Sequence, residues 1–196
     1  MKRSMGPQSI LYPTPTLVIA TYDPEGRPNM MTAAWAGVCC SSPPMVSVSL
    51  RPATYSHNNV KMSKAFTVCV PSEDHWREAD HVGIVSGRNT LKFQTTGLTV
   101  KRSEHVDAPY IEEFPLVLEC KLHEVHELGL HTQFIGEVVN VMVDEDVLDE
   151  DDNVDIKRLR PIIFSPGAGV YHGVGKRLGK ARTNRKLERE GEKEGD

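Results

Sequence analysis

The sequence predicts a mainly β protein, built as an antiparallel β-barrel with a few short flanking helices. Short stretches in which apolar and polar residues alternate recur along the chain, and clusters of Gly, Pro, Asp and Asn separate them. Strand and helix patterns do not alternate regularly, so a doubly wound parallel sheet is not expected. The chain has 196 residues and is 39% hydrophobic, which is enough for one sizeable core.

The first half of the chain contains four predicted strands. Residues 16–22 (TLVIATY) form a β-branched run, and the turn residues that follow predict a hairpin whose returning strand covers residues 29–38. Residues 39–44 are predicted as a loop. The next two strands, residues 45–50 and Ala65–Val70, carry apolar side chains at alternate positions.

Two helices are predicted beside these strands. The first covers residues 54–64, and Thr54 or Ser56 is suited to cap its N-terminus because a hydroxyl can accept a bond from a first-turn amide. The second covers residues 73–85, and the sequence Ser-Gly-Arg-Asn that follows marks its end.

The second half of the chain predicts a long hairpin. The segment Leu116–Leu128 alternates until the phase slips between Leu122 and Val125, which indicates a β-bulge. Residues 132–143 are its expected partner strand, and residues 161–164 form a last short strand.

Composition restricts the partners and the location. The net charge is −4 and the pI about 6.1, so nucleic acid is not an expected partner. No apolar run has the length of a signal peptide or a membrane span, and a cytoplasmic protein is expected. The four cysteines contain no CxxC pair and are expected to stay reduced: Cys39, Cys40, Cys69 and Cys120.

The predicted organisation is one domain with a charged tail. Residues 1–181 form the domain, and residues 182–196 are expected to be a poorly ordered C-terminal tail. Residues 144–155 hold eight acidic side chains in twelve positions and are expected to be a solvated loop.

The strongest candidate site is the stretch SVSLRPATYSHNN, residues 47–59. It places many hydrogen-bonding side chains where a strand runs into a helix. A helix N-terminus leaves amides unpaired and favours anions, and Arg51 adds a permanent charge, so this stretch suits a phosphate. The alternative is an ordinary capped helix that follows a strand.

Two further candidates are weaker. Small residues beside Trp35 in NMMTAAW, residues 29–35, permit a flat ring to approach the backbone, although a core tryptophan has the same pattern. His123, His126 and His131 are dense enough to suggest a metal, but they lack a familiar zinc spacing, and surface histidines are the preferred interpretation. We therefore expect no metal.

A hydrolase is also disfavoured. Ser56 and His57 are adjacent, and adjacent residues rarely bond as nucleophile and base. The sequence contains no GxSxG elbow.

Six segments in order resemble the flavin reductase-like family with an FMN-binding split barrel, in particular its flavoredoxin group. They extend over most of residues 5–180. The segments are NMMTAAW (29–35), SSPPMVSVSLRPATYSHNNV (41–60), AFTVCV (65–70), RNTLKF (88–93), LGLHTQFIGEVV (128–139) and PIIFSPGAGVYHGVG (161–175).

The resemblance implies a homodimer that binds FMN noncovalently near the subunit interface, and it implies which residues hold the cofactor. The residues expected along the flavin from the second strand are Asn29, Met31, Thr32, Ala33 and Trp35. Those expected at the ribityl and phosphate end are Ser49, Leu50, Arg51, Tyr55, Ser56 and His57. Lys92 would add a cation near the flavin or its phosphate, and His131, Phe164 and Tyr171 would lie near the isoalloxazine ring. The family often has Thr where this chain has Ser56, which keeps the hydroxyl.

The implied function is an FMN-dependent oxidoreductase, or an electron carrier, that takes electrons from NAD(P)H or a redox protein and passes them to an acceptor. Lys92 and His131 are the candidates for tuning the reduced flavin. The alternative is a non-redox flavin or pyridoxal-phosphate binding module on a related barrel.

Overall fold

The structure, a computed structural model, describes residues 1–181. Its strands are β1 (Thr14–Pro15), β2 (Leu17–Tyr22), β3 (Pro28–Ala33), β4 (Ala36–Ser41), β5 (Pro44–Leu50), β6 (Ala65–Val70), β7 (Val100–Arg102), β8 (Pro109–Ile111), β9 (Leu116–Leu128), β10 (His131–Val143), β11 (Ile162–Ser165) and β12 (Val170–Gly173). Its helices are α1 (Tyr55–Ser63), α2 (Trp76–Ile84), α3 (Lys92–Thr96) and α4 (Ile156–Leu159), with 3₁₀ turns at Glu73–His75 and Glu145–Val147. The predicted tail, residues 182–196, lies outside the described residues.

Seven strands form one antiparallel sheet in the order β3-β2-β6-β9-β10-β5-β4. A three-stranded sheet, β1-β11-β12, and the pair β7-β8 complete the β structure of the described residues. The fold is mainly β with short helices, a split barrel, as the strand pattern and the resemblance predicted. No helix within residues 1–181 has both the length and the apolar character needed to cross a membrane.

The phase slip predicted in β9 is confirmed. Ile135 of β10 lies opposite Glu124, whereas the next residue, Gly136, lies opposite Leu122. His123 is therefore the extra residue of a β-bulge, and the two strands remain paired on both sides of it.

The hairpin predicted from residues 16–22 and 29–38 is confirmed for its first part, because β3 pairs with β2. The continuation of that strand to residue 38 and the loop predicted over residues 39–44 are wrong. The chain instead forms β3 and β4, which are separated at Ala34 and Trp35. The carbonyl oxygen of Trp35 accepts a hydrogen bond from the amide of Ser49 at 2.8 Å, and β4 then pairs with β5 rather than with β2. β3 and β4 are adjacent in the sequence but lie at opposite ends of the sheet order. This arrangement depends on tertiary packing, and no local sequence pattern indicates it.

Alternation along β2 divides the core into two clusters. Val18 packs into the first cluster together with Ala79 and Val82 of α2, whereas Ile19 packs into the second with Phe66. Helix α2 is therefore attached to one face of the β2–β3 region by buried apolar contacts. This attachment places the C-terminal end of α2 next to the start of α1.

Helix α1 begins where sequence analysis places it. Thr54 is the N-cap residue, with an extended backbone, and Lys64 ends the helix in the left-handed region at φ 56°. The helix follows β5 after a short turn, so its first turn lies at the end of that strand.

The four cysteines are free thiols in the structure. Cys39 and Cys40 lie on β4, whereas Cys69 and Cys120 are buried, and burial raises the pKa of Cys69 to about 11.

The acidic segment, residues 144–155, begins with a 3₁₀ turn and is mostly exposed. The Asp149 carboxylate accepts hydrogen bonds from the amides of Asp151 and Asn153.

Candidate functional site

A pocket of about 250 Å³ lies between the start of α1 and the end of α2. We call it the α1 pocket. Its lining residues are Met31, Arg51, Ala53, Thr54, Tyr55, Ser56, Val82, Gly83, Ile84, Val85, Ser86, Gly87 and Lys92. Five of the residues that the sequence assigned to a cofactor therefore meet in one cavity: Met31, Arg51, Tyr55, Ser56 and Lys92.

The N-terminus of α1 is open toward ligands. The Thr54 hydroxyl donates to the carbonyl oxygen of Arg51 at 2.9 Å, and no side chain caps the first-turn amides. The Arg51 guanidinium is exposed and pairs with no carboxylate among residues 1–181. Unpaired amides, the positive end of the helix dipole and a free guanidinium together suit an anion.

A polar group without a hydrogen-bond partner lies beside Ser56 and Gly87, two lining residues of the α1 pocket. The Asn29 side-chain amide donates to the Ser56 hydroxyl oxygen at 2.8 Å, but the Asn29 carbonyl oxygen Oδ1 has no hydrogen-bond partner, although Asn29 is only 4% exposed. A Cβ atom on Gly87 would lie 2.0 Å from this oxygen, so only glycine fits there. An orphaned buried oxygen is uncommon in native proteins and indicates a site for an additional donor.

Lys92 is the second unusual group of the α1 pocket. It is 4% exposed, and its ammonium donates to the carbonyl oxygen of Val82 at 2.7 Å. No carboxylate in the described chain pairs with it, and burial lowers the pKa of Lys92 to about 8. A buried cation without a counter-charge is costly, so this position suits an anionic ligand.

A second cavity, of about 230 Å³, continues the α1 pocket across Gly83 and Ile84. We call it the aromatic pocket, and it contains three predicted ring-binding residues, Thr32, Phe164 and Tyr171. The rings of Phe164 and Tyr171 lie 5.3 Å apart.

The aromatic pocket is fixed by two hydrogen bonds. The Thr32 hydroxyl donates to the carbonyl oxygen of Ala79 of α2, and the Tyr171 hydroxyl donates to the Asp80 carboxylate at 3.0 Å. Burial and the adjacent Asp80 raise the pKa of Tyr171 to about 12, so the phenol is neutral at ordinary pH. The two pockets together form one elongated groove with a cationic end and an aromatic end.

The remaining predicted residues lie elsewhere in the chain. The His57 ring points away from the α1 pocket, where it bonds to the Thr132 hydroxyl at 2.9 Å and packs edge-on against Phe134. Leu50 and Ala33 are core residues. The other three are Trp35, Ser49 and His131, which lie on or beside β4, β5 and β10.

His131 and Arg51 are close neighbours in the fold. Thr132 is paired with Leu50, so His131 and Arg51 each lie one residue beyond that pair on adjacent strands. Paired residues on antiparallel strands are about 4.5–5.5 Å apart. Within one chain, His131 and Arg51 therefore cannot lie at opposite ends of an extended ligand.

The histidine segment shows no clustered metal ligands. Within residues 1–181, no three His, Cys, Asp or Glu side chains converge as a metal site. His126 instead contacts Glu124 at 2.9 Å on the exposed end of the hairpin.

Sequence analysis missed one whole wall of the groove. Residues 82–87 line the α1 pocket, but their sequence was interpreted only as the end of a helix. Gly87 was the available signal, because a glycine beside a polar pocket often permits a close backbone approach.

Comparisons with known proteins identify the family and the fold. The family model of the flavin reductase like domain matches residues 9–168. The flavoredoxin of Desulfovibrio vulgaris (Miyazaki F) is 48% identical, with a TM-score of 0.91 over 95% of this chain and 100% of that chain. A flavoredoxin from Methanosarcina acetivorans is 26% identical, with a TM-score of 0.88 over 94% and 98%. A ferric-chelate reductase (NAD(P)H) of Archaeoglobus fulgidus is 27% identical over 135 residues, 67% of this chain and 79% of its own length. This chain belongs to the flavin reductase-like family.

Proposed function

We propose that this protein is a flavoprotein oxidoreductase that holds FMN noncovalently and passes electrons through it from NAD(P)H or a redox protein to an acceptor. The observation that carries the proposal is Lys92, a buried cation without a counter-charge in the wall of a groove that ends at an open helix N-terminus. The same groove ends in aromatic side chains at its other pocket. A ligand with an anionic end and a flat ring matches both ends of the groove. Membership of the flavin reductase-like family favours a flavin as that ligand.

The residues present fit FMN at its phosphate end. The first-turn amides of α1 and the Arg51 guanidinium offer donors without partners, and a phosphate accepts several such bonds. The Ser56 hydroxyl, which accepts from Asn29, lines the same pocket. The roles implied by the family for Arg51, Tyr55 and Ser56 are therefore compatible with one another in this fold.

Two buried groups beside the α1 pocket, Asn29 and Lys92, also fit the polar edge of a flavin ring. The Asn29 oxygen that lacks a partner can accept from an N–H group, such as that of a flavin pyrimidine ring. The Lys92 ammonium would stabilise negative charge that develops when a bound flavin is reduced. FMN itself supplies the hydride and electron chemistry. Lys92 and His131 tune that chemistry and need not transfer protons.

We further propose a homodimer in which His131 serves the flavin of the partner subunit. Trp35 is 38% exposed and Val38 of β4 is 80% exposed, and both lie on the β5 side of the sheet with His131. Exposed apolar side chains beside a site suit an interface. Across such an interface, His131 of one chain approaches the ring of the other flavin and remains near Arg51 of its own chain.

Four free cysteines suit a reducing compartment, and we propose a cytoplasmic location.

FMN is expected to bind in preference to FAD. The α1 pocket accommodates a terminal phosphate, and an adenylate extension would have to leave it past Arg51. Calorimetry with flavin-free protein measures both affinities, and FMN should bind at least about tenfold more tightly. Equal affinities would show that the phosphate position is wrongly assigned.

Anaerobic mixing of the FMN complex with NADH then distinguishes a reductase, whose flavin bleaches quickly, from a carrier that needs a protein donor.

The FMN complex is expected to be a dimer at micromolar concentration in light scattering. Val38→Lys places a charge on the exposed apolar edge of β4 and should shift the complex toward monomer. Val100→Lys on β7, also an exposed valine, is the matched control and should leave the dimer intact. A wild-type monomer with FMN bound would contradict the dimer proposal.

A further inference from the structure

Two of the four cysteines carry accessible thiols, and they are adjacent in the chain. Cys39 is exposed and Cys40 is half-buried, and both lie on β4. Cys69 and Cys120 are 0% exposed in the core, where burial raises their pKa values to about 11 and about 12. A free cysteine is usually buried like a small apolar residue. The accessible pair is therefore unusual and indicates a role for the thiols themselves.

A β-bulge turns both thiols to one face of the sheet. Val38 of β4 is paired with Val46 of β5. The next pair joins Cys40 to Met45, so Cys39 is the extra residue of the bulge. Met45 and Val46 are neighbours on one strand, so their side chains point to opposite faces, and Cys39 likewise points away from Val38. Cys39, Cys40 and Met45 therefore share one face, and we call them the sulfur cluster.

The sulfur cluster lies on the open, outer face of the sheet. Val46 and the other buried residues of β5 belong to the second core cluster, on the opposite face. A Cβ atom on Gly37, two residues before Cys39, would have no other atom within 4 Å. No member of the cluster lines the α1 pocket. The proposed dimer contact of Val38 also lies on the opposite face, so the thiols stay open to a ligand.

The spacing of the sulfur cluster suits one metal ion. Cys40 and Met45 are directly paired, and such side chains have Cβ atoms about 4.5–5.5 Å apart. Metal–thiolate bonds are about 2.3 Å long, so two sulfur atoms on one ion are at most about 4.6 Å apart, which these side chains can reach. The Cys40 thiol donates weakly to the carbonyl oxygen of Ser42 at 3.5 Å, and losing this bond costs little.

The donor atoms select a soft metal. Two thiols and a thioether suit Cu(I). Zinc sites use Cys, His and carboxylate ligands, usually four, and no three of these converge within residues 1–181. Glu137 of β10 is paired with Met45 from the side away from β4. Strands are about 4.8 Å apart, so the Glu137 backbone is about 10 Å from that of the thiols, and its carboxylate adds negative charge rather than a ligand.

We propose that Cys39, Cys40 and Met45 bind one Cu(I) ion through two thiolates and a thioether. Binding replaces the two thiol protons, which pass to solvent, and the ion keeps its oxidation state. A reducing compartment keeps the thiols free and maintains copper as Cu(I). The site is separate from the flavin groove, so this metal-binding role goes beyond the proposed function and does not depend on it.

Anaerobic titration of the full-length protein with Cu(I), in competition with a chromogenic Cu(I) chelator, measures affinity and stoichiometry. The wild type should bind one ion per chain, with or without FMN. Cys39→Ser and Cys40→Ser should each weaken binding at least about a hundredfold, because a lost ligand costs more than a lost outer-shell partner. Met45→Leu removes a neutral ligand and should weaken binding about tenfold. Met62→Leu is the matched control, since Met62 is an exposed methionine on α1.

X-ray absorption at the copper edge counts the sulfur ligands, which should be three in the wild type and two in Met45→Leu. Two sulfurs in both would overturn the three-sulfur site. Unchanged affinity in the Cys39→Ser/Cys40→Ser double variant would place the ion elsewhere, because the remaining thiols, Cys69 and Cys120, are buried. One ion per two chains would show a site between copies instead. Circular dichroism identifies any misfolded variant, and Met45→Leu, which conserves volume, still tests the site.

Discussion

Replacing Lys92 by Met is expected to stabilise the flavin-free protein and to lower the reduction potential of bound FMN by roughly 30–60 mV. The Lys92 ammonium is buried without a counter-charge, so folding removes it from water at a cost. In the proposed FMN complex the same ammonium would favour the anionic reduced ring. Methionine keeps an unbranched side chain of similar length but removes both effects.

The stability effect of Lys92 depends on pH in a defined direction. Burial lowers the pKa of Lys92 from an ordinary value of 10.5 to about 8 in the folded protein. Between these values the unfolded chain binds more protons than the folded protein, so the free energy of unfolding rises with pH. Below pH 8 Lys92 is charged in both the folded and the unfolded protein, so the folded protein bears the full cost of burying that charge. The advantage of Lys92→Met should therefore be on the order of 1–3 kcal/mol at pH 7 and should shrink as pH rises toward 10.

Urea unfolding of both flavin-free proteins between pH 7 and pH 10 measures the stability effect. Spectroelectrochemistry of the FMN complexes measures the potential. Lys61→Met is the matched control, because Lys61 is half-buried on α1 and pairs with Glu127 at 3.7 Å. A Lys92→Met protein with wild-type stability at every pH and an unchanged potential would remove Lys92 from the proposed mechanism.

The strands with a regular alternation were predictable, and the exceptions have tertiary causes. The strand Leu116–Leu128 and its bulge follow from apolar spacing alone, because a slip of one residue changes the face of every later side chain. The division between β3 and β4 does not, since no turn residue separates them. Hydrogen bonding between Trp35 and Ser49 decides that division. The unpredicted β1, β7, β8 and β12 and the helix α3 have two to five residues each, too few for a periodic pattern.

The candidate site was predictable only in part for a related reason. The start of α1 has the composition of a phosphate pocket, and the structure places Arg51 and Ser56 around one cavity. His57 follows Ser56 directly, but successive residues of a helix point about 100° apart, and its ring lies against Phe134 instead. The wall contributed by the end of α2 depends on how that helix packs on the sheet. Local sequence does not contain this information.

Arg51→Ala and His131→Ala are expected to affect different properties of the same complex. Loss of a charge-assisted phosphate contact should weaken FMN binding by about 1.5–3 kcal/mol, roughly ten- to a hundredfold, and the FMN that remains bound should be reduced normally. His131→Ala should retain most FMN but change its reduction potential or slow its reduction by the donor. Calorimetry and anaerobic stopped-flow kinetics measure the two properties. Exchanged effects would show that the flavin lies in the groove in the reverse orientation.

The neighbouring positions of Arg51 and His131 make a stronger test possible in the proposed dimer. If both act on one flavin at opposite ends, they must come from different subunits, because Thr132 and Leu50 hold them side by side within one chain. A heterodimer of one Arg51→Ala chain and one His131→Ala chain then contains one site with both defects and one site with none. Tight FMN binding and wild-type reduction should return at one site per heterodimer. If both residues act within one chain, every site of the mixture keeps one defect, and no wild-type site is recovered. Differently tagged chains, refolded together and purified as the mixed species, distinguish the two arrangements.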